Sequence, residues 1–302
     1  AAAADAGIDT IVVDHHNPQD QLPPAVAIIN PKVGDGYPFD GLCACAVTAK
    51  VRQALAVGNT ELFGELVTLV NARPTNDTVV VDAILLENGL EVDRVSEALV
   101  PGVASLQTSR LQEFLVGRTL VCYDLPLQQK LLARGLGPQV DIYMLDLADQ
   151  VRELLPALAG KSLLEIGDAS RMARYRDGTT EEVDVLAALY QTVVDQRFPA
   201  IRESIESVMD LVAIASLADM MPAVDENRML IRRGLERLNE SPWPGIAALA
   251  TTLDLSQRRI GSREISWNLS PAINATGRMG EPSVAVELLL TDDAARMKEL
   301  SE

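Results

Sequence analysis

The stretch Ile11-Val12-Val13-Asp14-His15-His16 joins a short β-branched run to a polar cluster, and it is the most informative part of the sequence. Such a run is typical of a buried parallel strand, and the carboxyl ends of strands form the edge where open α/β sheets bind ligands. Imidazole beside a carboxylate is ligand chemistry for a divalent metal. The stretch therefore predicts a candidate metal site at a strand end, with a strand end that carries two solvated histidines as the alternative.

The two adjacent histidines are expected to have different roles. Side chains alternate across a strand, so we expect one histidine on a metal and the other turned toward a substrate, while Asp14 orients an imidazole. A second apolar run, Leu211 to Ala218, also ends on a carboxylate, Asp219. Mixed imidazole and carboxylate ligands suit Mn²⁺, Mg²⁺ or Zn²⁺. One histidine and one aspartate are too few for two metals, so further carboxylates are expected upstream of Ala1.

The composition predicts an α/β protein that is cytoplasmic. Of 302 residues, 48% are hydrophobic and only 4% aromatic, so the core must be mainly aliphatic. The length allows two domains. We find no apolar stretch long enough to span a bilayer, and the first four alanines lack the basic start of a signal peptide. Three sparse cysteines favour a reducing compartment.

The charge of the chain is unevenly distributed. The net charge of −17 argues against a nucleic-acid partner. The segment from Asp225 to Glu264, however, contains seven arginines and six carboxylates. Its net charge is therefore +1, and the net charge of the rest of the chain is −18. These arginines could hold a polyanion together with bound cations, or they could form a solvated helix face.

The order of apolar runs predicts four segments. The first, 1–70, contains the Asp-His-His stretch, strands at Ile8–Val13 and Ala25–Asn30, and a helix over Leu42–Val57 whose helical character continues to Asn71. The second, 71–195, is an inserted acidic α/β subdomain. The third, 196–256, contains Asp219, and the fourth, 257–302, has a strand at Ile265–Asn268 followed by the start of a long helix. Because the chain starts within an αβ repeat, we expect a fragment whose first βαβ units are absent.

The inserted segment contains no recognisable catalytic motif. Short strands are predicted at Val79–Val81, Leu120–Tyr123 and Val140–Leu145, and helices between them include one over Val92–Leu99. Three aspartates, Asp82, Asp124 and Asp146, follow strand-like runs. A turn or helix-cap role is expected for them rather than a place in a site. Asp177-Gly178 predicts a turn.

A third candidate constellation lies near the carboxyl end of the chain. In Ser270-Pro271-Ala272-Ile273-Asn274-Ala275-Thr276-Gly277-Arg278, the residues Asn274 and Arg278 are four apart, and Gly277 allows close approach of a backbone. Arginine grips phosphate oxygens with parallel donors, and a helix start suits phosphate binding. Taken alone, the string is expected to be a turn with a surface arginine.

Taken together, these strings resemble the DHH phosphoesterase family and, within it, the RecJ group of single-stranded-DNA exonucleases. About half of the chain takes part in the resemblance, with its segments in the family's order. The matching segments are Ile11–His16, Leu22–Pro31, Tyr37–Phe39, Asp210–Asp219 with Glu226-Asn227-Arg228, and Leu269–Leu290.

The resemblance implies a role for each candidate residue. His15 and Asp219 would be metal ligands, Asp14 a ligand or an orienting group, and His16 a contact to the scissile phosphate. Asn274 and Arg278, with Gly277 beside them, would engage DNA phosphates. Two Mn²⁺ or Mg²⁺ ions would activate water for 5′-to-3′ hydrolysis of single-stranded DNA in repair and recombination, with a single-strand-binding protein or other repair proteins as further partners.

The sequence departs from the family pattern in ways that bear on activity. The family's first two aspartate motifs have no counterpart before Ala1, and Cys43, Cys45 and Ala46 stand where glycines are usual. The insertion is not part of the pattern, and the family's C-terminal domain has no counterpart before Glu302. We therefore expect the full-length protein to be the exonuclease and this chain alone to be inactive.

Two other functions stay open at this point. One is a DHH phosphoesterase that acts on short oligonucleotides, cyclic dinucleotides or pyrophosphate. The other is a catalytically inactive DHH module that binds DNA or a replication partner, which the acidic insertion and the absent aspartates favour. The intact residues Asp14, His15, His16 and Asp219 count against the inactive module.

Overall fold

The structure, a computed structural model, describes residues 2–34, 36–140, 142–169 and 181–302. The turn predicted at Asp177-Gly178 lies outside the described residues. The chain forms two compact units. The first unit is Ala1–Ala56 together with Arg202–Glu302, and the second unit is Val57–Ile201. The predicted insertion at 71–195 falls within the second unit.

The elements are numbered in chain order. The strands are β1 (Ile11–Val13), β2 (Ala27–Ile29), β3 (Leu66–Pro74), β4 (Val79–Glu87), β5 (Leu90–Leu99), β6 (Thr119–Cys122) and β7 (Leu145–Asp146). The helices are α1 (Ala2–Asp5), α2 (Ala44–Gly58), α3 (Gln112–Leu115), α4 (Leu125–Leu136), α5 (Ala148–Leu154), α6 (Leu163–Ala169), α7 (Glu182–Arg197), α8 (Pro199–Glu206), α9 (Met209–Ala218), α10 (Asp225–Glu240), α11 (Pro244–Thr252), α12 (Ser262–Glu264), α13 (Ser270–Arg278), α14 (Pro282–Leu290) and α15 (Ala294–Ser301). Among the described residues, none of these helices combines the length and apolarity needed to cross a bilayer.

The first unit places the Asp-His-His stretch at the end of a parallel strand pair. Strand β1 pairs with β2 in parallel, with Ile11 opposite Ala27 and Val13 opposite Ile29. Both predicted strands are present and parallel, although each is only three residues long, but the expected burial is wrong because Ile11, Val13 and Ile29 are exposed. Helix α2 buries Ala46, Val47 and Ala49 in a core that it shares with residues of α9 and α10.

Helices α9 and α10 approach each other closely at a glycine. A Cβ atom added at Gly234 would collide with the carbonyl oxygen of Met209 and with the side chain of Ala213. Only glycine therefore fits the position on α10 that faces α9. This contact fixes the helix whose end carries Asp219 against the arginine-bearing helix that follows it in the chain.

The strand predicted at Ile265–Asn268 is wrong. Residues 265–269 form a single π-helical turn that connects α12 to α13 without a break. Ile265 and Leu269, which are four residues apart, are both fully buried. In a strand, Trp267 would share a face with these two residues, but it is 78% exposed, so the burial pattern is that of a helix.

The second unit is a mixed sheet with helices on both faces. The strand order is β5-β4-β3-β6-β7, in which β3, β6 and β7 run parallel and β4 is antiparallel to both of its neighbours. One face packs against Leu131, Leu132 and Leu136 of α4. The other packs against α7 through Leu186 and Leu189. The predicted α/β class with helices flanking the sheet is confirmed, while the expected parallel sheet is instead mixed, because β4 is antiparallel to both of its neighbours.

Two helices predicted in this part of the chain are strands. The helical character expected from Glu61 to Asn71 gives way to β3, whose residues 67–72 are all buried. The helix expected at Val92–Leu99 is β5, which pairs along its length with β4. In each case pairing with a neighbouring strand overrides a local apolar spacing that also fits a helix.

Of the three aspartates of the second unit, Asp124 and Asp146 have the turn or cap roles that were expected, whereas the expectation for Asp82 is wrong. The carboxylate of Asp124 caps α4 by accepting from the Leu127 amide. Asp146 accepts from the backbone amides of Asp124, Leu125 and Ala148. Asp82 lies within β4 rather than after a strand, where it pairs with Arg73 and accepts from the Ser96 hydroxyl.

Candidate active site

The Asp-His-His side chains converge where β1 ends. The Asp14 amide still donates to the Ile29 carbonyl, and the chain then leaves the strand pair. Asp14 Oδ1 accepts from the backbone amides of His15 at 2.7 Å and His16 at 3.2 Å, and it lies 2.7 Å from His16 Nδ1. One ligand atom from each of the three residues lies within 4.8 Å of the others. Donor atoms of the predicted type are therefore gathered at one point.

These hydrogen bonds determine the state of the Asp14 carboxyl group. The His16 ring, followed by the backbone amides of His15 and His16, lowers its pKa from 3.8 to about 2. An ionised carboxylate only accepts hydrogen bonds, so His16 Nδ1 donates to it. Asn30 Nδ2 donates to the His16 carbonyl at 2.9 Å and holds the backbone in place. The carboxylate thus orients this imidazole as expected from the sequence.

His15 is the less constrained of the two rings. Its side chain is half-buried, and its ring centroid lies 4.3 Å from that of His16. Within the described part of the chain, neither ring nitrogen of His15 makes a hydrogen bond. Both nitrogens are therefore available to a ligand.

Asp219 lies at the end of a helix rather than at the end of a strand. It is the C-terminal cap of α9, and its exposed carboxylate makes no hydrogen bond or ion pair with the described residues. The carboxyl end of a helix carries partial negative charge, which disfavours an anion at this position. Among the described residues, the metal-ligand cluster consists of Asp14, His15 and His16 and does not include Asp219. The structure therefore gathers three of these four predicted site residues, and Asp219, one of the two predicted metal ligands, is not among them.

The residues predicted to engage phosphate lie on α13, but not at its start. Asn274 and Arg278 are exposed, one helical turn apart, and Arg278 is in the last turn. The expected phosphate site at a helix amino end is therefore wrong for this string. A Cβ at Gly277 would meet no described atom within 4 Å, so this position is open.

Polar contacts hold the loop before α2 against the start of α10. The hydroxyl of Tyr37 donates to Glu226 at 2.6 Å, and the ammonium of Lys50 pairs with the same carboxylate. Asn227 is fully buried and donates to the carbonyls of Gly41 and Pro222. The sequence indicates Glu226 and Asn227 only through the family resemblance. In the structure, these two side chains hold the segment that follows Asp219 against the loop before α2.

Cys43, just before α2, and Cys45, in its first turn, lie in different environments. Cys43 is fully buried, with its sulfur 3.3 Å from the Ser216 hydroxyl. Cys45 is exposed, and desolvation together with the charges of Cys43 and Asp219 raises its pKa from 9.0 to about 11. The charge of Asp219 therefore acts on the first turn of α2.

We expect Cys45 to react slowly with iodoacetamide despite its exposure. A pKa two units above 9.0 lowers the thiolate fraction near neutral pH by about 100-fold, and the thiolate is the nucleophile. Replacing Asp219 with asparagine removes a negative charge and should speed the labelling. Mass spectrometry after timed alkylation measures both rates. A rate in the unmodified chain that matches an unstructured cysteine peptide would contradict the expectation.

Comparison with known proteins supports the family resemblance. No protein-family model matches the chain. Curated relatives include the single-stranded-DNA-specific exonuclease RecJ of Thermus thermophilus, 38% identical over 91 residues, and that of Escherichia coli, 32% identical over 108 residues. These alignments cover 30% and 35% of this chain but only 13% and 18% of the relatives, so the chain spans less than a fifth of their length.

Solved structures that match include RecJ of Thermus thermophilus in complex with Mg²⁺, at 30% identity and a TM-score of 0.31, covering 43% of this chain and 20% of that one. Because this TM-score is low, the description of the fold depends only on the strands and helices given above. The resemblance predicted from the motifs is confirmed by these sequence relatives, which are RecJ exonucleases similar to about a third of this chain.

Proposed function

We propose that this chain contributes the Asp-His-His part of the active site of a metal-dependent phosphodiesterase. The observation that carries the proposal is the convergence of ligand atoms from Asp14, His15 and His16 within 4.8 Å. Adjacency in sequence keeps these three residues close together, and the local hydrogen bonds decide how their groups are oriented. Here the Asp14 carboxylate fixes the His16 ring and both following amides.

The donor set fits a hard or borderline divalent cation. A carboxylate and imidazole nitrogens suit Mn²⁺ and Mg²⁺, the ions named for solved RecJ structures. We assign His15 as a ligand because its ring nitrogens are free, and His16 as the contact to the scissile phosphate. A bound ion would supply a water nucleophile near neutral pH.

Asp219 is proposed as a further ligand on electrostatic grounds. Its carboxylate lies at the negative end of α9 without a partner among the described residues, an arrangement that a bound cation would stabilise. A two-metal site needs more carboxylates than these residues provide. We therefore propose that additional ligands complete it and that this chain alone is inactive.

Single-stranded DNA is the proposed substrate, since the RecJ relatives are described as exonucleases specific for it. Asn274 and Arg278 are proposed to bind its phosphates from their exposed positions on α13. The full-length protein would then act as a cytoplasmic 5′-to-3′ exonuclease in DNA repair and recombination. A single-strand-binding protein is a further proposed partner.

The proposed function is tested by the substrate preference of the full-length protein. With Mn²⁺, a long 5′-phosphorylated single strand should be degraded to nucleotides faster than a duplex of the same sequence or a dinucleotide, and EDTA should stop the reaction. Faster hydrolysis of the dinucleotide would instead support a DHH phosphoesterase for small substrates. Gel and chromatographic product analysis distinguish the two.

One observation favours an inactive DHH module as a second candidate. Asp14 Oδ1 is already engaged by three donors, and Asp219 does not join the described cluster. An inactive module should bind single strands without hydrolysing them and should show no tight Mn²⁺ binding by calorimetry. Metal-dependent degradation by the full-length protein would exclude it.

A further inference from the structure

An exposed tryptophan interrupts an otherwise polar helix surface in the first unit. Trp267 lies in the π-helical turn between α12 and α13, and its side chain is 78% exposed. The chain has only two tryptophans. The other, Trp243, is half-buried and donates from its indole nitrogen to the Leu289 carbonyl at 2.7 Å. A single exposed apolar side chain is common on a protein surface, so the side chains around this ring decide what it can bind.

Trp267 belongs to a row of exposed side chains along one side of a continuous helix. Residues three or four apart lie on the same side of a helix, and the row, which we call the arginine–tryptophan row, consists of Arg263, Trp267, Pro271, Asn274 and Arg278. All five are exposed, whereas Ile265 and Leu269 between them are fully buried. At 1.5 Å per residue, Trp267 and Arg278 are roughly 16 Å apart along the axis.

The charge around this row is opposite to that of the whole chain. Residues 258–280 carry four arginines and one carboxylate, a net +3, whereas the chain carries −17. Within the described residues, neither Arg263 nor Arg278 forms a salt bridge. The carboxylate, Glu264, is engaged by the Gly261 amide at the start of α12. The row is therefore a local cationic surface around an aromatic ring.

We propose that Trp267 stacks on an unpaired base of a single nucleic-acid strand whose phosphates lie against the arginines of this row. Aromatic side chains flanked by cations are how proteins bind single strands without reading their sequence, since every base has a π face. A duplex keeps its bases stacked on one another and offers none to the indole. The choice of nucleic acid rests on the proposed function, but the role of Trp267 does not require hydrolysis. The π turn that carries the ring supports the assignment, because such turns are frequent at functional sites.

The test is strand binding measured without hydrolysis. In EDTA, a short oligothymidine should quench the tryptophan fluorescence of the full-length protein, and Trp267→Ala should weaken its binding by about 5- to 150-fold. Trp267→Phe keeps a π face and should retain most of the affinity while losing most of the quenching. Met279→Ala, which removes another exposed apolar side chain nearby in sequence, is the matched control and should leave binding unchanged.

An abasic strand of the same length separates stacking from phosphate binding. The unmodified protein should bind it about as weakly as Trp267→Ala binds oligothymidine, and Trp267→Ala should not distinguish the two strands. Equal affinity of the unmodified protein for both strands, or an unchanged affinity in Trp267→Ala, would overturn the assignment. A protein would then be the alternative partner for this surface. Stacking without any metal-dependent degradation would refute the exonuclease proposal and leave this one standing.

Discussion

Replacing His15 with alanine is expected to lower Mn²⁺-dependent degradation of single-stranded DNA by the full-length protein more than about 100-fold. Loss of a residue that only orients a metal ligand typically costs 10- to 100-fold, and loss of a ligand costs more. His15 has ring nitrogens without hydrogen-bond partners among the described residues, so its removal takes away a donor and breaks no described hydrogen bond of the ring. Calorimetry with Mn²⁺ alone should show a parallel loss of affinity.

Two further variants make the His15 experiment specific. Asn17→Ala changes an exposed neighbour of the cluster and should leave degradation and metal binding unchanged. Asp219→Ala should reduce degradation as strongly as His15→Ala if Asp219 is a ligand. Full activity in Asp219→Ala would remove that residue from the site, whereas full activity in His15→Ala would refute the metal centre itself.

Replacing Asp210 with alanine is expected to lower the free energy of unfolding of the first unit by about 3–5 kcal/mol. Asp210 is fully buried in the first turn of α9, where its carboxylate accepts from the Trp243 amide and lies 3.5 Å from Arg237 Nε. Removing one partner of a buried ion pair leaves the other charge without compensation, and this effect has the stated magnitude. Both tryptophans lie in the first unit, so fluorescence during denaturant unfolding reports on it directly.

Glu236→Ala is the matched control for Asp210→Ala. It also removes a carboxylate paired with an arginine, Arg232, but both side chains of that pair are largely exposed. A surface pair four residues apart contributes about 0.5 kcal/mol. If Asp210→Ala changed stability no more than Glu236→Ala, the buried pair would not stabilise the first unit.

The sequence predicted elements well where local pattern and tertiary contacts agree. Helix α2 is of this kind, because its apolar residues predict one buried face and the fold buries Ala46, Val47 and Ala49 on it. Strand β5 is the opposite case. Val92, Val95 and Leu99 have helical spacing, but only Val95 and Leu99 are buried, and the residues between them are mostly charged and exposed. Charged side chains are typical of an edge strand, and pairing with β4 is not visible in the local sequence.

The candidate site was predictable in its chemistry but only partly in its geometry. The adjacency of Asp14, His15 and His16 guaranteed their proximity, whereas the hydrogen bond from Asp14 to the second histidine depends on how the chain leaves β1. The position of Asp219 depends on whether the apolar run before it is a strand or a helix, and a short apolar run does not distinguish these. Trp267 was missed because its segment was predicted as a strand. A tryptophan that follows three arginines within nine residues was the available signal.

The π turn at 265–269 also affects how relatives should be aligned with this chain. A π turn holds one residue more than the α turn that it replaces, so it absorbs a single-residue insertion while the helix continues on either side. A relative that lacks this residue could keep cations equivalent to Arg263 and Arg278 on the same side of its helix. An alignment of this chain with such a relative that contains no gap would match Trp267 to a residue that is not its structural equivalent. Substitutions at this position should therefore be compared only after a one-residue gap has been placed in the turn.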